Sequence, residues 1–141
     1  MVTKVLFVCT GNICRSPMAE AIFNFKSSDD FIAISAGTME NDGYEASEHG
    51  ITVLKEKGID LSNHRSQKVD VNLLESVDYV CCMAGYHVQF LKRKYPQFKD
   101  KYFKLSTEDI FDPFGHDKEM YEVVANEIEK KIDKLLEKIA V

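Results

Sequence analysis

Residues 8–20 read VCTGNICRSPMAE, and within them a thiol and a guanidinium stand six positions apart, at Cys9 and Arg15. Cysteine supplies a nucleophile whose reactive form is the thiolate, and arginine supplies a planar fork of donors that matches two oxygens of a phosphate. The residues between them suit a tight loop. Gly11 relaxes the turn, and Asn12 tolerates the left-handed conformation that a nest of inward-pointing backbone N–H groups requires. Thr10, Ile13 and Cys14 complete the loop, and a helix beginning just beyond it would aim its dipole at the same point. Ser16 can donate its hydroxyl to the sulfur of Cys9 and so stabilise the anion. A cysteine at a strand end is by itself more often an inert packing residue. Combined with the arginine and a capped helix, it predicts binding of a tetrahedral dianion and attack on its centre by Cys9.

Displacing an alkoxide or phenoxide from phosphorus also needs a proton donor, and afterwards a base to activate water against the cysteinyl-phosphate. Glu108, Asp109 and Asp112 lie together in TEDIFDPFG (107–115). Asp112 stands out, because Pro113 stiffens the chain behind it. Cys14, five residues from the nucleophile, is placed to capture an oxidised Cys9 as a disulfide, which predicts redox sensitivity. Cys81 and Cys82 are adjacent inside an apolar run, so each faces one side of a sheet and both read as core.

The elements that must position these groups are legible in the pattern. TKVLFVC (3–9), FIAISAG (31–37) and VDYVCCM (77–83) read as buried strands, and KYFKLS (101–106) as a last one. Ser16-Pro17 predicts a helix start, with Met18, Ile22 and Phe25 on its apolar face. Further helices are expected from Ala46 to Lys57, closed by Gly58, and from Val88 to Tyr95, stopped by Pro96. From Tyr121 through Val124, Ile128, Ile132, Leu135, Leu136 and Ile139, apolar side chains recur every three or four residues. Strands alternating with helices imply a parallel sheet covered on both faces.

The 141 residues are 45% apolar and 29% charged, which predicts one domain over 1–141. A net charge of −5 argues against a general nucleic-acid binder, so an anion must be held locally. No apolar stretch suits a membrane span or a signal peptide, and four cysteines without zinc-site spacing fit reduced thiols, so a cytoplasmic location is expected.

CTGNICRS, an instance of C-x5-R-[ST] near the N-terminus, resembles the signature of the low-molecular-weight protein tyrosine phosphatases, and PMAE extends the match. SAG (35–37), GIDLSNH (58–64) and DPFG (112–115) follow in the expected order, so the resemblance spans essentially the whole chain. It implies a four-stranded parallel sheet flanked by helices on both faces, no metal and no cofactor, and a phosphorylated protein as substrate. It implies that Asp112 is the general acid, and that Asn12, Ser16, Ser35 and His64 support the phosphate loop. Phosphate would then be product and inhibitor.

CCMAG (81–85) carries Ala84 where tyrosine phosphatases of this family commonly carry Asp, and GYHVQF (85–90) resembles the protein-arginine phosphatases of the same superfamily. Ile13, however, stands where the arginine phosphatases typically have Thr, and a branched apolar side chain favours a flat ring over a guanidinium. The expectation is therefore phosphotyrosine, with phosphoarginine as the alternative. Phe114, with Tyr44 or Met39 facing it, would complete the substrate wall. Arsenate reductases begin with a similar loop but need a spaced cysteine pair, which adjacent Cys81 and Cys82 do not provide. A phosphotransferase-system carrier is a more distant reading, and Arg15 with Asp112 argues for hydrolysis instead. Outside enzymes, the loop would be an anion-binding or thiol-sensing module.

Overall fold

The computed structural model describes residues 1–140. Strand β1 (Thr3–Cys9) lies inside the sheet because every residue from Val5 onward is buried. It pairs in parallel with β2 (Phe31–Gly37), from Thr3 opposite Phe31 to Cys9 opposite Gly37. On its other side it pairs with β3 (Tyr79–Cys82), which carries β4 (Tyr102–Lys104) at its outer edge. The sheet order is β2-β1-β3-β4, so the direction of winding reverses between β1 and β3. A crevice opens beyond the carboxyl ends of strands at such a reversal, and Cys9 is the last residue of β1.

Alternation along β1 divides the core in two. Val5, Phe7 and Cys9 face α1 (Arg15–Lys26), α2 (Glu48–Glu56) and α5 (Lys118–Ile139), with Met18, Ile22, Leu54, Val124, Ile128 and Ile132 filling that side. Leu6 and Val8 face α3 (Val71–Ser76) and α4 (Gly85–Lys94), against Leu74, Val80 and Leu91. Cys81 joins the first cluster and Cys82 the second, as adjacent strand residues must. The four-stranded parallel sheet with helices on both faces is thus the expected one.

Element ends differ from the pattern where capping decides them. Helix α1 begins at Arg15, with Cys14 at the N-cap position and no side-chain cap, so Ser16 and Pro17 lie inside the first turn. Proline fits there because its missing N–H has no helical acceptor to serve. Phe25 is exposed, because the face of α1 that packs inward runs through Met18, Ala19, Ile22 and Phe23. Helix α2 starts after Ser47, whose hydroxyl accepts from the Gly50 N–H, and α5 starts after Asp117, which accepts from the Met120 N–H. Helix α4 begins at Gly85 rather than Val88, and the short α3, capped by Asp70, has too few apolar positions to show a period.

Candidate active site

The loop from Cys9 to Arg15 closes over the end of β1. The Cys9 Sγ lies 3.0 Å from the Ser16 hydroxyl and 3.3 Å from the Asn12 backbone N–H. Asn12 is fully buried with φ of +56°, the left-handed conformation expected of it. Its side-chain amide donates to Ser16 Oγ at 2.8 Å and to Ser35 Oγ at 3.0 Å, and its Oδ1 accepts the Gln67 N–H. Because Ser16 accepts from Asn12, its own proton is left for the sulfur of Cys9. Ser35 likewise accepts from Asn12 and donates to Glu20 Oε1 at 2.6 Å. Burial pushes the Glu20 carboxyl up, opposed by the Ser35 hydroxyl and the nearby His64. His64 Nε2 donates to the Asn12 carbonyl at 2.7 Å. Asn12, Ser16, Ser35 and His64 therefore form one network beneath the loop.

The loop is also clamped to β2. Thr38 and Met39 donate their N–H groups to the carbonyls of Cys9 and Thr10, both at 3.0 Å. This contact requires glycine at position 37, where a Cβ would stand 2.5 Å from the Thr10 carbonyl oxygen.

Arg15 is buried, and its guanidinium is oriented from the opposite rim. Nη1 donates to the Ile110 carbonyl at 3.0 Å, Nη2 donates to the Tyr86 hydroxyl at 3.1 Å, and Asp112 Oδ2 lies 3.5 Å from Nη2. Ile110 in turn donates its N–H to the Met83 carbonyl, which ties the Asp112 loop to the end of β3. Asp112 Oδ1 accepts the Phe114 N–H, while the carboxylate stays half exposed. A cavity of about 280 Å³ is lined by Cys9, Thr10, Gly11, Ile13, Cys14 and Arg15 on the loop side. Met39, Asn41, Asp112 and Phe114 line the rest.

On the other flank His87 is almost completely buried. Its Nδ1 accepts the Ala84 N–H at 3.1 Å, so the ring proton sits on Nε2, which donates to Thr10 Oγ1 at 2.9 Å. Burial, then the Arg15 charge, push its pKa down to about 4, so the ring is neutral at physiological pH.

The model of the low molecular weight phosphotyrosine protein phosphatase family matches residues 4–141. The chain belongs to that family. It is similar to a protein-arginine-phosphatase of Geobacillus stearothermophilus, at 40% identity over 96% of this chain and 95% of the relative. The low molecular weight phosphotyrosine protein phosphatase of Gallus gallus is 37% identical over 79% of this chain and 74% of its own length. Among solved structures, a low molecular weight protein tyrosine phosphatase from T. tengcongensis superposes with a TM-score of 0.93 at 43% identity, covering 96% of this chain and 99% of that one. Membership makes the chain an enzyme, a phosphoric monoester hydrolase.

The phosphatase fold places Cys9, Thr10, Gly11, Ile13, Cys14 and Arg15 on the cavity wall with Asp112, Met39 and Phe114 at the mouth, while Asn12 and Ser16 lie beneath it against the Cys9 sulfur. Tyr44 is the exception. Its N–H donates to Ser66 Oγ and its carbonyl accepts the Ser66 N–H, while Gly43, at φ of +87°, donates to the Ser66 carbonyl. These bonds turn the segment back before Tyr44 can reach the cavity, and Asn41 lines it instead, donating to the Gly11 carbonyl at 2.7 Å. Asn41, Glu20 and Gln67 escaped the sequence reading, and Tyr86 and His87 entered it only as part of GYHVQF, with no role assigned. Only His87 carried a local signal, a polar ring one turn into a helix that follows a strand end.

Proposed function

We propose that the chain hydrolyses phosphotyrosine in proteins through a cysteinyl-phosphate intermediate, with residues 1–141 as one catalytic unit. Cys9 attacks phosphorus from the floor of the cavity, Arg15 holds two phosphoryl oxygens, and Asp112 protonates the leaving phenoxide. The same carboxylate then takes a proton from the water that releases phosphate. The observation that carries this reading is the single cavity in which the Cys9 sulfur, fed by the Ser16 hydroxyl and the Asn12 N–H, shares walls with Arg15 and Asp112. The supports Asn12, Ser16, Ser35 and His64 hold the loop, and Ile13, Met39 and Phe114 form an apolar wall for the aryl ring.

Turnover of an aryl phosphate tests the assignment. Cys9→Ser and Arg15→Ala are expected to abolish it, and Asp112→Asn to slow it by roughly 10²- to 10⁴-fold, the range of general acid–base catalysis. Full activity in Cys9→Ser would sink the mechanism. Inorganic phosphate, as product, should inhibit competitively. A cytoplasmic site of action is supported by the four free cysteines, and independence from nucleic acid by the net charge of −5; among the described residues no helix is long and apolar enough to cross a membrane.

Phosphoarginine is the second reading, favoured by the protein-arginine-phosphatase relative and by the exposed Asp112 carboxylate, which can accept a guanidinium N–H. Ile13 decides between them, because a branched apolar side chain on the cavity wall packs on a ring and offers a guanidinium no partner. Ile13→Thr should shift the ratio of phosphotyrosine to phosphoarginine turnover toward phosphoarginine, and an unchanged ratio removes Ile13 as the determinant.

A further inference from the structure

Two side-chain relays end at the loop, and only one of them is explained by holding Cys9. In the first, the Asn12 amide donates to Ser16 Oγ, which leaves the Ser16 proton for the sulfur. The second runs from the far side of the sheet. The Ala84 N–H donates to His87 Nδ1, His87 Nε2 donates to Thr10 Oγ1, and Thr10 lines the cavity. Directionality is fixed in the same way in both. A backbone N–H can only donate, so Nδ1 must accept, Nε2 must carry the proton, and the Thr10 hydroxyl must accept from it. That hydroxyl keeps one proton to give, and among the described residues no second partner takes it.

The rest of Thr10 is immobilised. Its carbonyl accepts the Met39 N–H, and the close approach of Gly37 packs against that same carbonyl. The side chain is then fixed by His87, which occupies the acceptor side of its hydroxyl.

We propose that His87 is a positioning residue of this active site, holding the Thr10 hydroxyl as an obligate donor to the phosphoryl group bound over Cys9. The inference rests on the reading that a phosphate occupies the cavity. It adds a side-chain donor to the backbone N–H cradle and Arg15, on the wall of the cavity reached from α4.

The experiment compares Thr10→Val, Thr10→Ser, His87→Leu, His87→Gln and the Thr10→Val/His87→Leu double variant. Inorganic phosphate affinity is read by calorimetry, and turnover with p-nitrophenyl phosphate. Valine keeps the shape of threonine without its hydroxyl, and glutamine can accept from Ala84 and donate to Thr10 with one side chain. The expected result is roughly tenfold weaker phosphate binding in Thr10→Val and in His87→Leu. The double variant should be no weaker than its worse parent, with Thr10→Ser and His87→Gln restoring most of the loss. A purely structural role for His87 would give no rescue by glutamine and no dependence on Thr10. Thr10→Val binding phosphate as tightly as the parent, or single losses that add in the double variant, overturns the proposal. Thr10→Val removes no buried packing, so its result stands even where His87→Leu fails to fold. A parent protein that binds phosphate without turning over p-nitrophenyl phosphate defeats the hydrolase reading alone, and the affinities still decide the role of His87.

Discussion

Cys14 shares the cavity with Cys9, and its Sγ lies 3.3 Å from the Tyr121 hydroxyl. Burial pushes its thiol up, against the hydrogen bonds from Tyr121 and Ser47 that pull it down. It is therefore a poor competing nucleophile but an available partner. Peroxide oxidises the Cys9 thiolate to a sulfenic acid with loss of hydroxide. The Cys14 sulfur then displaces a second hydroxide, which leaves as water with the thiol proton, and a disulfide forms. The expected outcome is inactivation by peroxide that dithiothreitol reverses in the parent protein but only partly in Cys14→Ser, measured by recovered turnover. Equal recovery in the two removes the role of Cys14. At this scale the meeting of Cys9, Arg15 and Asp112 at one cavity was readable, because the three announce themselves by type and spacing. Tyr86 and His87 do not, since a hydroxyl and a ring acquire their partners, Arg15 and Thr10, only when α4 is folded against the loop.

The loop depends on its neighbours at the level of elements. Gly37 ends β2 opposite Cys9, and the Cβ of alanine there would meet the Thr10 carbonyl oxygen at 2.5 Å and the Asn12 N–H nitrogen at 3.2 Å. Both are backbone atoms, so the loop itself has to shift. Gly37→Ala should cost roughly 1–3 kcal/mol of stability by overpacking and lower turnover well beyond what that loss explains. Urea unfolding alongside p-nitrophenyl phosphate assays separates the two effects. Lys101 provides the contrast, far from the chemistry. Its ammonium donates to the Leu74 carbonyl at 2.7 Å and the Val77 carbonyl at 2.8 Å, closing the C-terminal end of α3. Lys101→Met is expected to destabilise by roughly 1–3 kcal/mol, the range for hydrogen bonds to a charged group, with turnover unchanged. The sequence disclosed the strands and the long helix through periodicity, whereas α3 was silent: six residues held by Asp70 and Lys101 rather than by an apolar stripe.

For the molecule as a whole, His87 links stability to acidity. Its ring is neutral in the folded state with a pKa of about 4, against 6.5 when free, so between those values the unfolded chain binds a proton that the folded one refuses. Stability therefore rises with pH through that window, and the loss on acidification is complete only below about 4. Arg15 on α1, Asp109 and Asp112 on the facing loop, and the Tyr86 ring packed at 4.3 Å are the groups around it. Arg15 disfavours the imidazolium and the two carboxylates favour it. Urea midpoints taken from pH 6.5 down to 4.5 should fall in the parent, by an amount equivalent to at most about 3 kcal/mol at full protonation, and fall less steeply in His87→Gln. Equal slopes would assign the acid limb to other groups. Glu20 acts in the opposite sense, since its raised carboxyl favours the folded state at low pH and loses that contribution as pH climbs past it.

The central place of β1 has a dynamic consequence. Flanked by β2 from Thr3 to Cys9 and by β3 from Val5 to Val8, its central residues cannot open an edge to solvent while the sheet survives. Its amides should be among the last to exchange with deuterium, at the rate of global opening. The Cys9 thiol would thus be anchored to the segment that opens last, and denaturant should extinguish turnover in the same transition that melts the sheet rather than in an earlier one.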